Sequence, residues 1–384
     1  MKSATVRQPG SQASRDAIRP QRQEARLAKR GTIYYETWAG SSQQSVRRGY
    51  HKSHRKIIVI LMSVGSPRGR DEIIKYLKDI KSEHRITKSL ILGVLKDPRN
   101  ISTIIKAMRT PTADQVESLY NKYKKIGGAS PLASITRRQA KRLCAVLKSS
   151  GIDARVTIAM KRPRPSISEA ISEFKHYRNP LFIGIAMFPT YSKSFGDRYE
   201  RMFTSGIKNS GIDADSIVVK SWDDNAKFRI AWSSKISKSY IPLRGKKTMV
   251  IFATHSIPKI FIDGGDPYIK NFESLARSVA TMAGIRNWTC AYYTGGHPAP
   301  VPEITSQIRK CKEEGYKHIL LVPLGYVADN FETLYGLGIM CKKAAAESRI
   351  RITQMHPLND SPELSAALSD IVLNIVKNRT WRHS

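Results

Sequence analysis

Two polar side chains stand where apolar runs end. His255 follows the run Thr-Met-Val-Ile-Phe-Ala-Thr at 248–254 and precedes Ser256-Ile257-Pro258, so a strand there delivers an imidazole to its carboxyl edge. Imidazole accepts a proton near neutral pH or ligates a divalent metal. A histidine that only satisfies loop backbone is the competing reading. Glu332 follows the run 318–324 through Gly325-Tyr326-Val327-Ala328-Asp329-Asn330-Phe331, at the start of a helical segment. Asp329 with Glu332 three residues later has the form of a capping box, in which Glu332 returns a hydrogen bond to the cap. Alternatively, a carboxylate in a helix's first turn is held ionised by the dipole, ready for a proton or a metal. Sequence alone leaves both choices open.

These side chains need elements to carry them. From Lys56 onward, short apolar β-branched runs alternate with amphipathic stretches. The expected strands are 57–64, 154–160, 181–188, 216–221, 248–254, 288–293, 318–324 and 349–355. Near-continuous apolar runs, without strict alternation, point to strands buried on both faces of a parallel sheet. Helices lie between them; in 113–126, Val116, Leu119, Tyr123 and Ile126 recur at helical spacing before the stop signal Gly127-Gly128. The fold class is therefore α/β, with two Rossmann-like doubly wound domains, each built on a four-stranded parallel sheet flanked by helices. The divisions are 57–215, 216–358 and a C-terminal helical segment, 359–384, packing back on the body. Open α/β sheets bind ligands beyond the carboxyl ends of their strands, which directs attention to His255 and to 325–332. The first such end, Gly65-Ser66-Pro67-Arg68-Gly69, is neither G-x-G-x-x-G nor a P-loop, so no nucleotide is signalled.

The charge is the strongest compositional feature: 65 Lys+Arg against 31 Asp+Glu, or +34. Residues 1–56 carry +10 of it, and the body the other +24. An excess of this size favours an anionic partner, whether nucleic acid, anionic membrane or polycarboxylate ligand. No helix-turn-helix, zinc finger or aromatic stacking platform accompanies it, so no specific nucleic acid is expected. Cys144, Cys290, Cys311 and Cys341 lie far apart without a C-x-x-C pair, which signals neither a zinc ribbon nor a disulfide framework and fits a reducing compartment. No run approaches the roughly 18 apolar residues of a transmembrane segment. The basic segment 1–56 reads as a disordered extension on a cytoplasmic protein or as a mitochondrial or plastid transit peptide.

Five stretches then stand in order along 57–375. They are Tyr123 with Lys125-Ile126-Gly127-Gly128-Ala129-Ser130-Pro131-Leu132, Phe188-Pro189-Thr190-Tyr191-Ser192, Ala253-Thr254-His255-Ser256-Ile257-Pro258, Gly265-Asp266-Pro267-Tyr268, and Gly325 to Tyr335. Together they resemble the ferrochelatase motifs Y-x-x-IGG-x-SP, P-x-Y/F-S, AHS-I/L-P, GDPY and GF-x-S/A-DH-x-E-x-LY. The resemblance implies the class II chelatase fold and insertion of Fe²⁺, itself a substrate, into coproporphyrin III or protoporphyrin IX in haem synthesis. It implies no organic cofactor. It also makes His255 and Glu332 the catalytic and metal-binding pair, and it places Tyr123, Ser130, Tyr191, Ser192 and Asp329 at substrate-binding positions. Arg68 and Arg70, just beyond the first strand, are candidates to pair with propionates, against the alternative of an ordinary solvated turn.

The chain also departs from that pattern. Further acids that many ferrochelatases carry after the glutamate are replaced by Gly336 and Met340, which implies loss of an outer metal site. The DH dipeptide reads Asp329-Asn330, and the QS…PW-x-GP segment reads Tyr292-Tyr293-Thr294-Gly295-Gly296-His297-Pro298-Ala299-Pro300. His297 is a local substitute ligand or a solvated loop residue. No Cys follows Cys341, so the C-terminal iron-sulfur cluster of animal ferrochelatases is not expected, and the pattern looks closer to soluble coproporphyrin-type bacterial enzymes. The alternatives are a chelatase for another metal or tetrapyrrole, and a catalytically diverged tetrapyrrole-binding protein. A haem acceptor, an acidic partner and peripheral membrane contact stay open as partners.

Overall fold

The computed structural model describes residues 55–82, 94–98, 101, 112–162, 164–295 and 301–380. The extension 1–54 and His297 lie outside the described residues.

All eight apolar runs form strands: β1 (Ile57–Ser63), β2 (Ala154–Met160), β3 (Leu181–Ala186), β4 (Asp215–Val219), β5 (Thr248–His255), β6 (Trp288–Tyr293), β7 (His318–Val322) and β8 (Arg351–Gln354). They pair into two all-parallel sheets of order β2-β1-β3-β4 and β6-β5-β7-β8. The same wiring thus occurs twice, with helices covering both faces, as uninterrupted apolar strands demand. β3 and β7 are buried along their whole length. One sequence division needs correction. β4 begins at Asp215 and is hydrogen-bonded to β3 in the first sheet, so a boundary at 215/216 assigns this strand to the wrong lobe.

A single apolar cluster runs through both lobes. It joins Leu61, Ile183 and Ile217 of the first sheet to Val250, Phe252 and Leu320 of the second through Trp222, Phe228 and Trp232. The C-terminal helix Pro362–Thr380 contributes Leu364, Leu368, Val372 and Ile375 to the same cluster and packs against the helices Leu132–Ser149 and Ala226–Tyr240.

In each sheet, chain direction across the sheet reverses between two neighbours, β1 and β3 in the first, β5 and β7 in the second. Loops leaving such neighbours diverge and open a crevice at their carboxyl ends. His255 is the last residue of β5, and Glu332 follows β7 after a short turn, so the second crevice carries both residues.

Candidate active site

β5 ends with His255 opposite Tyr293 in the register of β6. After β7, the chain turns at Gly325, whose missing side chain is required. A Cβ there would lie 1.9 Å from Thr254 Oγ1. This close approach brings the β7 turn against the residue that precedes His255, and Gly325 N donates to Ala253 O over 3.2 Å. The turn then enters a nine-residue π-helix, Glu332–Met340. Helices with i→i+5 bonding are rare, and they concentrate at functional sites.

The capping-box reading of Glu332 does not hold. Asn330 caps this helix, its Oδ1 accepting from Glu332 N at 2.8 Å and Thr333 N at 3.1 Å. The Glu332 carboxylate instead faces His255, with Oε2 at 3.1 Å from Nδ1, and the same oxygen accepts a hydrogen bond from Tyr326 Oη at 2.7 Å. Burial works to lower the imidazole's pKa, but the charge and hydrogen bond of Glu332 outweigh it, and His255 is raised above its ordinary 6.5. Burial first, and the Glu332 charge second, push the Tyr76 phenol up to about 12 and hold Tyr293 and Tyr326 above the ordinary phenol value. Glu332 is therefore set among neutral phenols, with His255 the cation-forming neighbour it touches.

The other expected site residues take different roles. Tyr123 is buried beside the pair: its ring stacks on Phe331 with centroids 4.5 Å apart, Phe331 stacks on Tyr335, and its Oη meets Ser66 Oγ at 2.6 Å. Ser130 receives a hydrogen bond from Leu132 N at the start of the helix Leu132–Ser149. Tyr191 donates to Asp197 over 2.9 Å, with the Lys220 ammonium over its ring. Ser192 is buried; it caps the helix Lys193–Ser210 and donates to Asp266 Oδ2 over 2.8 Å. The Asp329 carboxylate is engaged by Thr333 Oγ1 at 3.0 Å, His356 Nδ1 at 3.0 Å and Asn359 Nδ2 at 2.8 Å, which ties the turn down away from His255. Arg68 and Arg70 form exposed pairs with Glu72 and Glu117, as an ordinary solvated turn does.

The position of the lost outer acid has a steric explanation. A Cβ at Gly336 would lie 2.6 Å from Tyr293 Cε2 and 2.8 Å from Cδ2. Tyr293, buried next to His255, fills that space. Among the described residues, no group of three or more His, Cys, Asp or Glu side chains forms a metal cluster.

A cleft of about 560 Å³ opens at the carboxyl ends of β1 and β2, lined among others by Arg68, Lys75, Tyr76, Lys161, Arg162 and Arg164, with Glu72 and Glu169 the acids on its wall. Burial, with the Arg198 charge second, drives Lys161 down to about 7. Tyr76 stands on this wall and feels the charge of Glu332. Sequence reasoning missed this cleft and Tyr76, because strand ends that meet only in the fold line it.

An imidazole and a carboxylate paired at the crevice of a parallel sheet are the groups a metal chelatase needs. The comparisons make the class specific: the ferrochelatase family model matches residues 56–375, and the chain belongs to the ferrochelatase family. It is 28% identical over 319 residues to a ferrochelatase of Desulfotalea psychrophila, covering 82% of this chain and 96% of that one. A coproporphyrin III ferrochelatase 2 of Bacillus cereus is 28% identical over 336 residues, with 84% and 95% covered. A coproporphyrin III ferrochelatase of Geobacillus kaustophilus is 30% identical over 290 residues, with 73% and 92% covered. Among solved structures, a multi-domain Deinococcus radiodurans protein with structural similarity to chelatases superposes with a TM-score of 0.43 at 8% identity, covering 62% of this chain and 50% of that one.

Proposed function

We propose that this ferrochelatase inserts Fe²⁺ into coproporphyrin III, using His255 and Glu332 as its catalytic pair. The observation that carries the reading is the 3.1 Å contact between His255 Nδ1 and Glu332 Oε2 at the carboxyl end of β5. Insertion removes both pyrrole N–H protons and strips water from the cation. His255, raised in basicity by its partner, donates Nδ1–H to Glu332 and accepts a proton at Nε2 or yields the Nε2 lone pair to the cation. Glu332 neutralises whichever positive charge arrives.

The preference for a porphyrin with more propionates than protoporphyrin IX rests on the basic cleft at the carboxyl ends of β1 and β2 and on two relatives described as coproporphyrin III ferrochelatases. Tyr123, Ser130, Tyr191, Ser192 and Asp329 are proposed with it as substrate-binding positions, Tyr123 through the ring stack that it builds with Phe331 and Tyr335. A cytoplasmic location is proposed with this activity, since all four cysteines are free thiols and the relatives are bacterial.

The test is anaerobic Fe²⁺ insertion into coproporphyrin III and protoporphyrin IX by the wild type, His255→Ala and Glu332→Gln. Wild-type turnover with coproporphyrin III preferred is expected, with loss of about a hundredfold or more in both variants. A His255→Ala protein at full activity removes the assignment. A wild type that binds porphyrin and inserts nothing removes the enzyme reading.

A further inference from the structure

Tyr326 is buried, with 8% of its surface exposed, in the turn between β7 and the π-helix. Its hydroxyl donates to Glu332 Oε2 over 2.7 Å, the same oxygen that meets His255 Nδ1 at 3.1 Å. A buried phenol without a partner is costly, and a hydrogen bond to a charged acceptor is among the stronger ones available. The backbone behind it is equally constrained. Gly325 packs against Thr254, whose Oγ1 lies 2.6 Å from Tyr268 Oη, and Thr254 immediately precedes His255. One piece of close-packed backbone therefore fixes both the imidazole and the phenol that meet on Glu332 Oε2. The ferrochelatase motif carries phenylalanine here, so this hydroxyl belongs to the present chain and not to the shared pattern.

We infer that Tyr326 is a positioning residue for Glu332, holding its carboxylate in the orientation that faces His255. The inference rests on the proposed roles of that pair. A glutamate at a helix start has several rotamers, and only one that aims Oε2 at β5 gives a cation two protein donors at once. Tyr326 selects that rotamer from outside the reacting atoms, without itself touching metal or porphyrin.

Tyr326→Phe removes one oxygen and leaves the ring that fills the turn. In anaerobic kinetics with Fe²⁺ varied, kcat/KM for the metal is expected to fall about tenfold or more. Porphyrin affinity, read by fluorescence quenching, is expected to match the wild type, while the melting temperature falls by the few degrees that loss of one charge-assisted hydrogen bond brings. Activity within twofold of the wild type overturns the inference. So does a loss that porphyrin affinity shares, because that is a packing defect. A second readout needs no turnover: calorimetric titration of the porphyrin-free proteins with Zn²⁺ is expected to give weaker binding in Tyr326→Phe, and equal affinity overturns the inference. A wild type that inserts no metal fails the functional reading, and the Zn²⁺ titration then decides Tyr326 by itself.

Discussion

Gly336→Ala sets two physical effects of opposite sign against each other. In a helix interior, replacing glycine by alanine ordinarily stabilises by roughly 1 kcal/mol, because glycine loses more backbone freedom on folding. At position 336, the added methyl meets Tyr293 at 2.6 Å, 2.8 Å and 3.1 Å from three ring carbons. Ordinary carbon contacts lie at roughly 3.5–4.0 Å, so the ring must retreat by most of an ångström. Tyr293 has 9% of its surface exposed and ends the strand paired with β5, which leaves it little room. Overpacking of this kind costs about 1–3 kcal/mol. Net destabilisation of up to about 2 kcal/mol is therefore expected by urea denaturation followed by circular dichroism. The same substitution in a Tyr293→Ala background loses its clash, so its sign should reverse to neutral or stabilising, a coupling of about 1–3 kcal/mol between the two sites. A Gly336→Ala protein more stable than the wild type, with Tyr293 in place, refutes the steric argument.

Two further predictions concern titration. Glu332→Gln removes the charge that raises His255 against its burial, so its imidazole should titrate lower than in the wild type, where it is held above 6.5; ¹⁵N-detected histidine titration compares them. By the same linkage, the pair's contribution to stability is complete below the free imidazole value and is lost as pH rises through the raised one. Burial raises the Asp223 carboxyl from 3.8 to about 6, so the fold disfavours its ionised form and loses stability as pH climbs between those values. Asp223→Asn should stabilise at neutral pH by on the order of 2 kcal/mol, an advantage absent below the free carboxyl value. Urea midpoints unchanged by the substitution at neutral pH count against it.

What the sequence carried plainly was local. Near-continuous apolar runs such as 57–62 and 319–322, too short for a helix, mark strands buried on both faces. Lobe membership is not local: β4 and β5 both read as strands after a helix, and only hydrogen bonding to β3 puts β4 in the first sheet. The reading of Glu332 turned on a competition that residue types alone do not decide. Asn330 reaches the open helix amides from a position closer than Asp329, which releases both carboxylates for other partners. The π-helix was also hidden, because a shift from i→i+4 to i→i+5 bonding leaves no periodic signature in nine residues. Tyr326 stood in a quoted motif, yet the partner of its hydroxyl lies on the far side of a turn that exists only once Gly325 has closed on Thr254.

Asp266 gives the repeated architecture a mechanical consequence. Its Oδ2 accepts from Ser194 N, Ser194 Oγ and Ser192 Oγ at 2.9, 2.8 and 2.8 Å, so the amino end of Lys193–Ser210 in the first lobe is completed by a carboxylate from the second. Two lobes wired alike suggest modules that could be separated and recombined. A borrowed helix cap and a shared apolar cluster make them interdependent instead: either half alone would present an open helix end or an unpartnered buried acid, along with a raw apolar face. The look-alike halves are therefore expected to melt as one cooperative unit in a single calorimetric step, and a chain cut between β4 and β5 to regain its fold only when both fragments are present together.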